Sequence, residues 1–202
     1  MRKKTEARRL QFVMAAGKLF VTHGIASVTM ESIAAEASSS KVTLYNYFSS
    51  REALFEAYII EVGKGWVERL LDAPKTGQTL SNILNHLGMS YLALVTKPDI
   101  VALNRLIIGE AGRFPELANL FYELGPEKTL RYIGEVIGEL MGKNLLRQGD
   151  VRAVSLHFKA LCEADIVERI MWGLDCVPAD ETLLESSVNT ATRAFMQLYA
   201  QS

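Results

Sequence analysis

Cysteine is scarce in this chain: only Cys162 and Cys176 occur in 202 residues, at a spacing that offers neither a disulfide framework nor a zinc motif. Both read as buried thiols. Histidine is equally thin. His23, His86 and His157 lie far apart, none has Glu three residues before it as a helical di-iron site needs, and no H-E-x-x-H occurs. Also missing are the G-x-S-x-G elbow, the G-x-x-x-x-G-K-[ST] phosphate loop and a dinucleotide fingerprint, so no enzyme, metal or cofactor is expected. No apolar run reaches the roughly 18 residues that cross a bilayer. The basic start MRKKTEARR lacks the apolar stretch of a signal peptide, which predicts a cytoplasmic protein. Sustained apolar–polar alternation is absent too, which argues against strands.

What is present is helical periodicity almost throughout. The pattern predicts an all-α chain of about nine helices. The first spans about Glu6 to His23 and ends at Gly24, a good helix terminator. Two short helices follow, then a long fourth from about Ser50 to Leu71, ended by Ala73-Pro74-Lys75-Thr76-Gly77. The rest are expected at about 79–95, 98–111, 115–141, 150–172 and 180–199. Pro98 and Pro115 suit first helical turns, Pro178 sits in the last connection, and Gly125-Pro126 should kink or split its helix. Acidic residues such as Glu163, Asp165 and Glu168 alternate with Lys159 and Arg169, as surface ion pairing requires.

Charge is unevenly divided. Residues 1 to 51 carry eight Lys and Arg against three Glu, a net of +5, whereas the remainder carries 14 basic and 20 acidic residues, a net of −6. A cationic segment gains affinity for nucleic acid by releasing condensed counterions. The split predicts a domain at 1–51 and a second at 52–202.

Residues 29–48 read TMESIAAEASSSKVTLYNYF. Thr29 suits an N-cap, Ile33, Ala34 and Ala37 form a small apolar face, and Ser38-Ser39-Ser40 breaks and restarts the backbone. In the second helix Leu44 and Phe48 turn inward, which leaves Lys41, Val42, Tyr45 and Asn46 outward. Lys41 so placed suits guanine O6 or N7 and Val42 a thymine methyl, with Thr43 serving either purpose.

From Arg9 to Leu54 the chain resembles the DNA-binding domain of the tetracycline-repressor (TetR) family. The matching residues are Ala15-Ala16, Leu19-Phe20, Gly24, Thr29, Ile33-Ala34, Ala37, Ser40-Lys41, Thr43-Leu44-Tyr45, Tyr47-Phe48 and Glu52-Ala53-Leu54. Ser38 and Ser39 depart from the family's usual Gly and aliphatic residue, Val42 from a frequent Gly, and Met30 from a frequent hydroxyl residue. The resemblance implies a three-helix helix-turn-helix domain followed by a helical effector-binding and dimerisation domain. It implies a ligand-responsive repressor of a palindromic operator, released by a small apolar or amphipathic effector. Thr29, Ser40, Lys41, Val42, Thr43, Tyr45, Tyr47 and Arg51 are the expected DNA contacts, with Thr29, Tyr45, Tyr47 and Arg51 matching the family's phosphate contacts.

Val154, Leu161, Ile166, Ile170, Leu184, Val188, Ala191, Phe195 and Leu198 make the last two helices apolar over much of their circumference. A homodimer through those helices would bury them, as the family's four-helix bundle does; an ordinary core of the same chain is the alternative. The segment 103–126 resembles the family's sensor domain. A pocket is implied, for which Trp66, His86, Tyr91, Arg105, Phe121, Phe158, Cys162 and Trp172 are the candidate lining. The fourth helix, from Arg51 to Trp66 and beyond, is the expected lever between effector and DNA. Gly134, Gly138 and Gly142 make a smooth helix face suited either to close packing or to a ligand. Outside the family, the alternatives are an all-helical enzyme or a helical adaptor that binds protein.

Overall fold

In the structure, a computed structural model, residues 5–64, 79–164, 166–174 and 179–201 are described. They form eleven helices: α1 Glu6–His23, α2 Met30–Glu36, α3 Lys41–Tyr45, α4 Arg51–Gly63, α5 Leu80–Val95, α6 Pro98–Glu110, α7 Pro115–Leu124, α8 Pro126–Gly142, α9 Val151–Glu163, α10 Ile166–Met171 and α11 Glu181–Tyr199. Among the described residues the only β geometry is an isolated bridge between Leu146 and Ala200.

Two splits raise the helix count above nine. The first is the one expected at Gly125-Pro126, where proline has no N–H to continue the ladder of α7. The second falls at Ala164, whose extended backbone (ψ 121°) ends α9 and lets α10 turn Ile166 and Ile170 into the core. The fourth helix is shorter than expected. It ends at Gly63, with Lys64 extended (ψ 137°), because Gly63 and Gly65 flank Lys64 and each glycine costs a helix about 1 kcal/mol relative to alanine. Trp66, the rest of the expected lever and Cys176 lie outside the described residues.

The chain divides into two compact units, Met1–Lys64 with Ala102–Gly125, and Gly65–Val101 with Pro126–Ser202. The expected boundary at 51/52 falls just inside α4, which packs on α1. Phe20 and Phe55 meet edge to face at 5.5 Å across that contact. Gly17 permits it, since a Cβ there would stand 2.1 Å from the Tyr58 ring. Phe12, Val13, Ile33, Leu44 and Leu54 complete the buried apolar interior of this unit.

In the second unit α5, α8, α9, α10 and α11 close on one core containing Leu84, Leu87, Tyr91, Ile133, Ile137, Phe158, Cys162, Val188 and Phe195. Phe158 and Phe195 pack edge to face at 5.1 Å. Gly88 brings α5 against α11, its absent Cβ having only 2.8 Å to Val188. The residues expected to await a second subunit mostly belong to this interior. Val154, Ile166, Ile170, Leu184, Val188, Ala191 and Phe195 are buried within their own chain and Leu161 is half-buried; only Leu198 is exposed. Counting apolar residues around a helix does not reveal how many neighbours cover it. The glycine face is also less demanding than expected: alanine would meet Val151 of α9 at 3.5 Å from position 134 and 4.0 Å from 138, and open space at 142.

Candidate nucleic-acid interface

The α2–α3 unit is built from hydroxyl caps. At α2 the Thr29 side chain accepts from the Ser32 N–H (3.1 Å) while the Thr29 N–H donates to Ser32 Oγ (3.0 Å), a reciprocal box that satisfies two otherwise orphaned donors. The helix ends in a double closure: Ser39 N–H donates to Ala34 O (2.8 Å) and Ser38 N–H to Ala35 O (2.9 Å). Ser38 thereby takes φ 47°, the left-handed region in which glycine is the usual residue. Two residues on, Ser40 restarts the chain as N-cap of α3, accepting from Thr43 N–H (3.1 Å) and sharing a 2.8 Å hydrogen bond with the Thr43 hydroxyl. Gln11 of α1 steadies the turn by donating Nε2–H to Ala37 O (3.0 Å).

Behind α3, Leu44 and Phe48 are buried; in front, Lys41, Val42 and Tyr45 are exposed, Val42 by 73%. This is the orientation expected from periodicity. The Lys41 ammonium donates to the Glu31 carboxylate of α2 and lies 5.7 Å from the Tyr45 ring centre. Lys41 holds the Glu31 carboxyl below its ordinary range, and that carboxylate in turn raises the lysine. Sequence periodicity carries no sign of this contact, because the two residues sit on different helices ten positions apart.

Two of the expected DNA contacts also hold parts of the protein together. Tyr47 accepts from the Thr5 N–H (3.1 Å) and packs on Phe12 with ring centres 5.4 Å apart, which ties the start of α1 to the end of the reading unit. Arg51 turns back toward the α1–α2 loop. Its Nη1 donates to the carbonyls of Ile25 (3.0 Å) and Val28 (3.3 Å), and its Nε and Nη2 donate to Glu52 at 3.3 and 3.2 Å.

The candidate effector residues belong to both units. Arg105 and Phe121 belong to the first unit, and Arg105 is exposed. Tyr91, Phe158 and Cys162 are packed in the second unit's core, and Trp172 is 76% exposed. The Tyr91 hydroxyl donates to Glu163, which also accepts from Lys159 at 2.7 Å. Burial, then the Glu163 charge, pushes the Tyr91 phenol well above its ordinary value and the Cys162 thiol up to about 12. A polar, largely open cavity of about 640 Å³ lies between α5 and α11, lined by residues that include Ser81, Asn85, Glu185, Asn189, Thr192 and Arg193. Asn85 Oδ1 and Thr192 Oγ1 of this lining are buried without a hydrogen-bond partner; Nε2 of His86, outside the lining, is likewise buried without one. Hydroxyl and amide residues on a helix face give no sequence signal for such a lining.

Comparison with known proteins finds two family matches. Residues 13–58 match bacterial regulatory proteins of the tetR family, and residues 82–201 match the C-terminal domain of AefR-like transcriptional repressors. The structure is similar to that of the flavonoid-responsive regulator FrrA, at 32% identity, covering 97% of this chain and 98% of that one with a TM-score of 0.83. It is also similar to a TetR transcriptional regulator from Agrobacterium tumefaciens, at 26% identity, coverage of 98% and 97%, and a TM-score of 0.75. The HTH-type transcriptional repressor SCO4008 of Streptomyces coelicolor is 31% identical over 100 residues, 43% of this chain; the match spans 52% of that protein, about half its length.

Proposed function

Because the chain belongs to the TetR family of transcriptional regulators, we propose that it is a dimeric repressor that lays α3 in the major groove of a palindromic operator and leaves it when a small effector binds. The outward set Lys41, Val42 and Tyr45, backed by buried Leu44 and Phe48, carries this reading. Lys41 meets guanine O6 or N7 and Val42 a thymine methyl. Phosphates are met by Tyr45, the hydroxyls of Thr29, Ser40, Thr43 and Tyr47, and the N–H groups that open α2 and α3; these fix register without reading sequence. Arg51 takes part chiefly as a positioning residue, through the α1–α2 loop it braces. Two recognition helices about 34–36 Å apart match successive major grooves. The partner surface follows the outer faces of α9 and α11, where Leu156, Leu183 and Leu198 are exposed.

The effector reading rests on the α5–α11 cavity and on FrrA, a flavonoid-responsive regulator. A hydroxylated, amphipathic aromatic molecule suits the buried Asn85 and Thr192 atoms of that lining, which lack protein partners. Such a ligand releases DNA only by binding the non-binding conformer better, and moving a 1:99 balance to 99:1 takes about 5.5 kcal/mol of difference. Sequencing the genomic DNA retained by purified protein, then measuring affinity at two salt concentrations, tests the core of the proposal. A palindrome bound with steep salt dependence is expected; a monomer indifferent to every fragment in dilute buffer ends it.

A further inference from the structure

A carboxylate on a surface that meets phosphates opposes binding unless it has a task of its own. Two acidic side chains occur between residues 28 and 51. Glu36 is engaged by Lys18 of α1 at 2.6 Å, which ties it to the scaffold. Glu31 is engaged by Lys41, the side chain best placed to read a base. The pair links the first turn of α2 to the first residue of α3 and leaves both side chains about half exposed, 59% and 51%. A base edge can therefore compete for either partner, and an exposed ion pair of this kind is weak enough to yield.

Resting on the reading of this unit as the DNA-contacting element, we infer that Glu31 is a specificity-determining residue that acts with Lys41 as a closed pair on the wrong sequence and an open pair on the right one. Phosphate oxygens only accept hydrogen bonds, so Glu31 gains nothing from the DNA backbone and is repelled by it. Cytosine N4 is a donor in the major groove, and a carboxylate accepts from it; guanine O6 and N7 are acceptors, and an ammonium donates to them. Where the half-site places a G·C pair, or adjacent guanine and cytosine, before α3, the two side chains part and each finds its complement. Elsewhere Lys41 stays neutralised by Glu31, and nonspecific affinity is lowered by the loss of one cationic contact per subunit.

Glu31→Gln keeps the side chain's size and removes its charge. Its affinity for random duplex and for the selected operator, measured from 50 to 200 mM salt beside the wild type, separates the outcomes. Expected are several-fold tighter binding to random duplex, a log–log salt slope steeper by up to about 1 per subunit, and a specificity ratio lower by about tenfold, the size of one good base contact. Adding Lys41→Gln to this variant should erase the gain on random duplex. A thermal midpoint equal to that of the wild type shows that the changes arise at the DNA surface. If Glu31→Gln keeps the wild-type specificity ratio and salt slope while the wild type binds its operator, this inference is overturned and the DNA reading stands. If the wild type binds no duplex at 50 mM salt, both fall.

Discussion

Side-chain caps open helices in both compact units, at Thr79, Asp150 and Asp180 in the second as at Thr29, Ser40 and Ser50 in the first, yet the units differ in how far packing fixes their helices. Between residues 29 and 53 every helix start is closed by a hydroxyl, Thr29, Ser40 and Ser50, each accepting a backbone N–H within 3.1 to 3.2 Å. Of the helices so capped, α2 and α3 are short, with one buried residue in α3, so local hydrogen bonds weigh heavily in their directions. In the second unit long helices interlock through Phe158, Phe195, Val188 and Cys162, and direction is decided by residues distant in sequence. A surface that reads DNA needs its outward side chains free of packing duties; a core needs the opposite. Accordingly the first unit is sensitive to caps and turns and the second to volume and burial, except at the α1–α4 contact, where the first unit packs as tightly as any core.

That exception offers the largest effect. Gly17→Ala places a methyl 2.1 Å from the Tyr58 ring and should destabilise the protein by about 3 kcal/mol in denaturant unfolding, as overpacking does. A loss below 0.5 kcal/mol would show that α1 and α4 are not so closely apposed. Next comes Cys162. Its folded thiol titrates at about 12 against an ordinary 9, so the folded state keeps a proton that the unfolded state releases. The associated stability is complete below pH 9 and falls by about 1.4 kcal/mol per pH unit between 9 and 12. Comparing unfolding free energies at pH 8 and 10 should show a drop in wild type about 1.4 kcal/mol larger than in Cys162→Ala; equal drops would mean the thiol is not sheltered.

Thr29→Ala removes a reciprocal cap and should cost about 1 kcal/mol. It should also weaken operator and random duplex alike, and a changed base preference would contradict a purely backbone role. Ser38→Gly acts in the opposite direction: relieving a left-handed serine at φ 47° should stabilise the protein by up to about 1 kcal/mol, read as a raised thermal midpoint. Smallest is Gly138→Ala, with its nearest foreign atom 4.0 Å away. It should add about 0.5 to 1 kcal/mol through helix propensity alone, and a loss would reveal a neighbour against that face.

Legibility followed the range of the interactions. The caps at Thr29 and Ser40, the inward Leu44 and Phe48, and the break at Gly125-Pro126 depend on residues within four positions of one another, and each was readable from order alone. The end of α4 at Gly63 was readable in kind, since two glycines flank Lys64, but helical periodicity outweighed that signal. Three features were not legible. The Glu31–Lys41 pair spans two helices, the inward turn of Arg51 depends on the α1–α2 loop, and the buried faces of α9 and α11 depend on α5 and α8 folding over them.

Residue order alone determined that the chain is helical, where its reading element begins and turns, and which side chains α3 sends outward, because backbone capping and 3.6-residue periodicity act over a single turn. Tertiary structure decided which apolar faces are already covered, which cations are paired and where a polar cavity opens. Those outcomes depend on the distance between atoms far apart in the chain, and no periodicity encodes that distance.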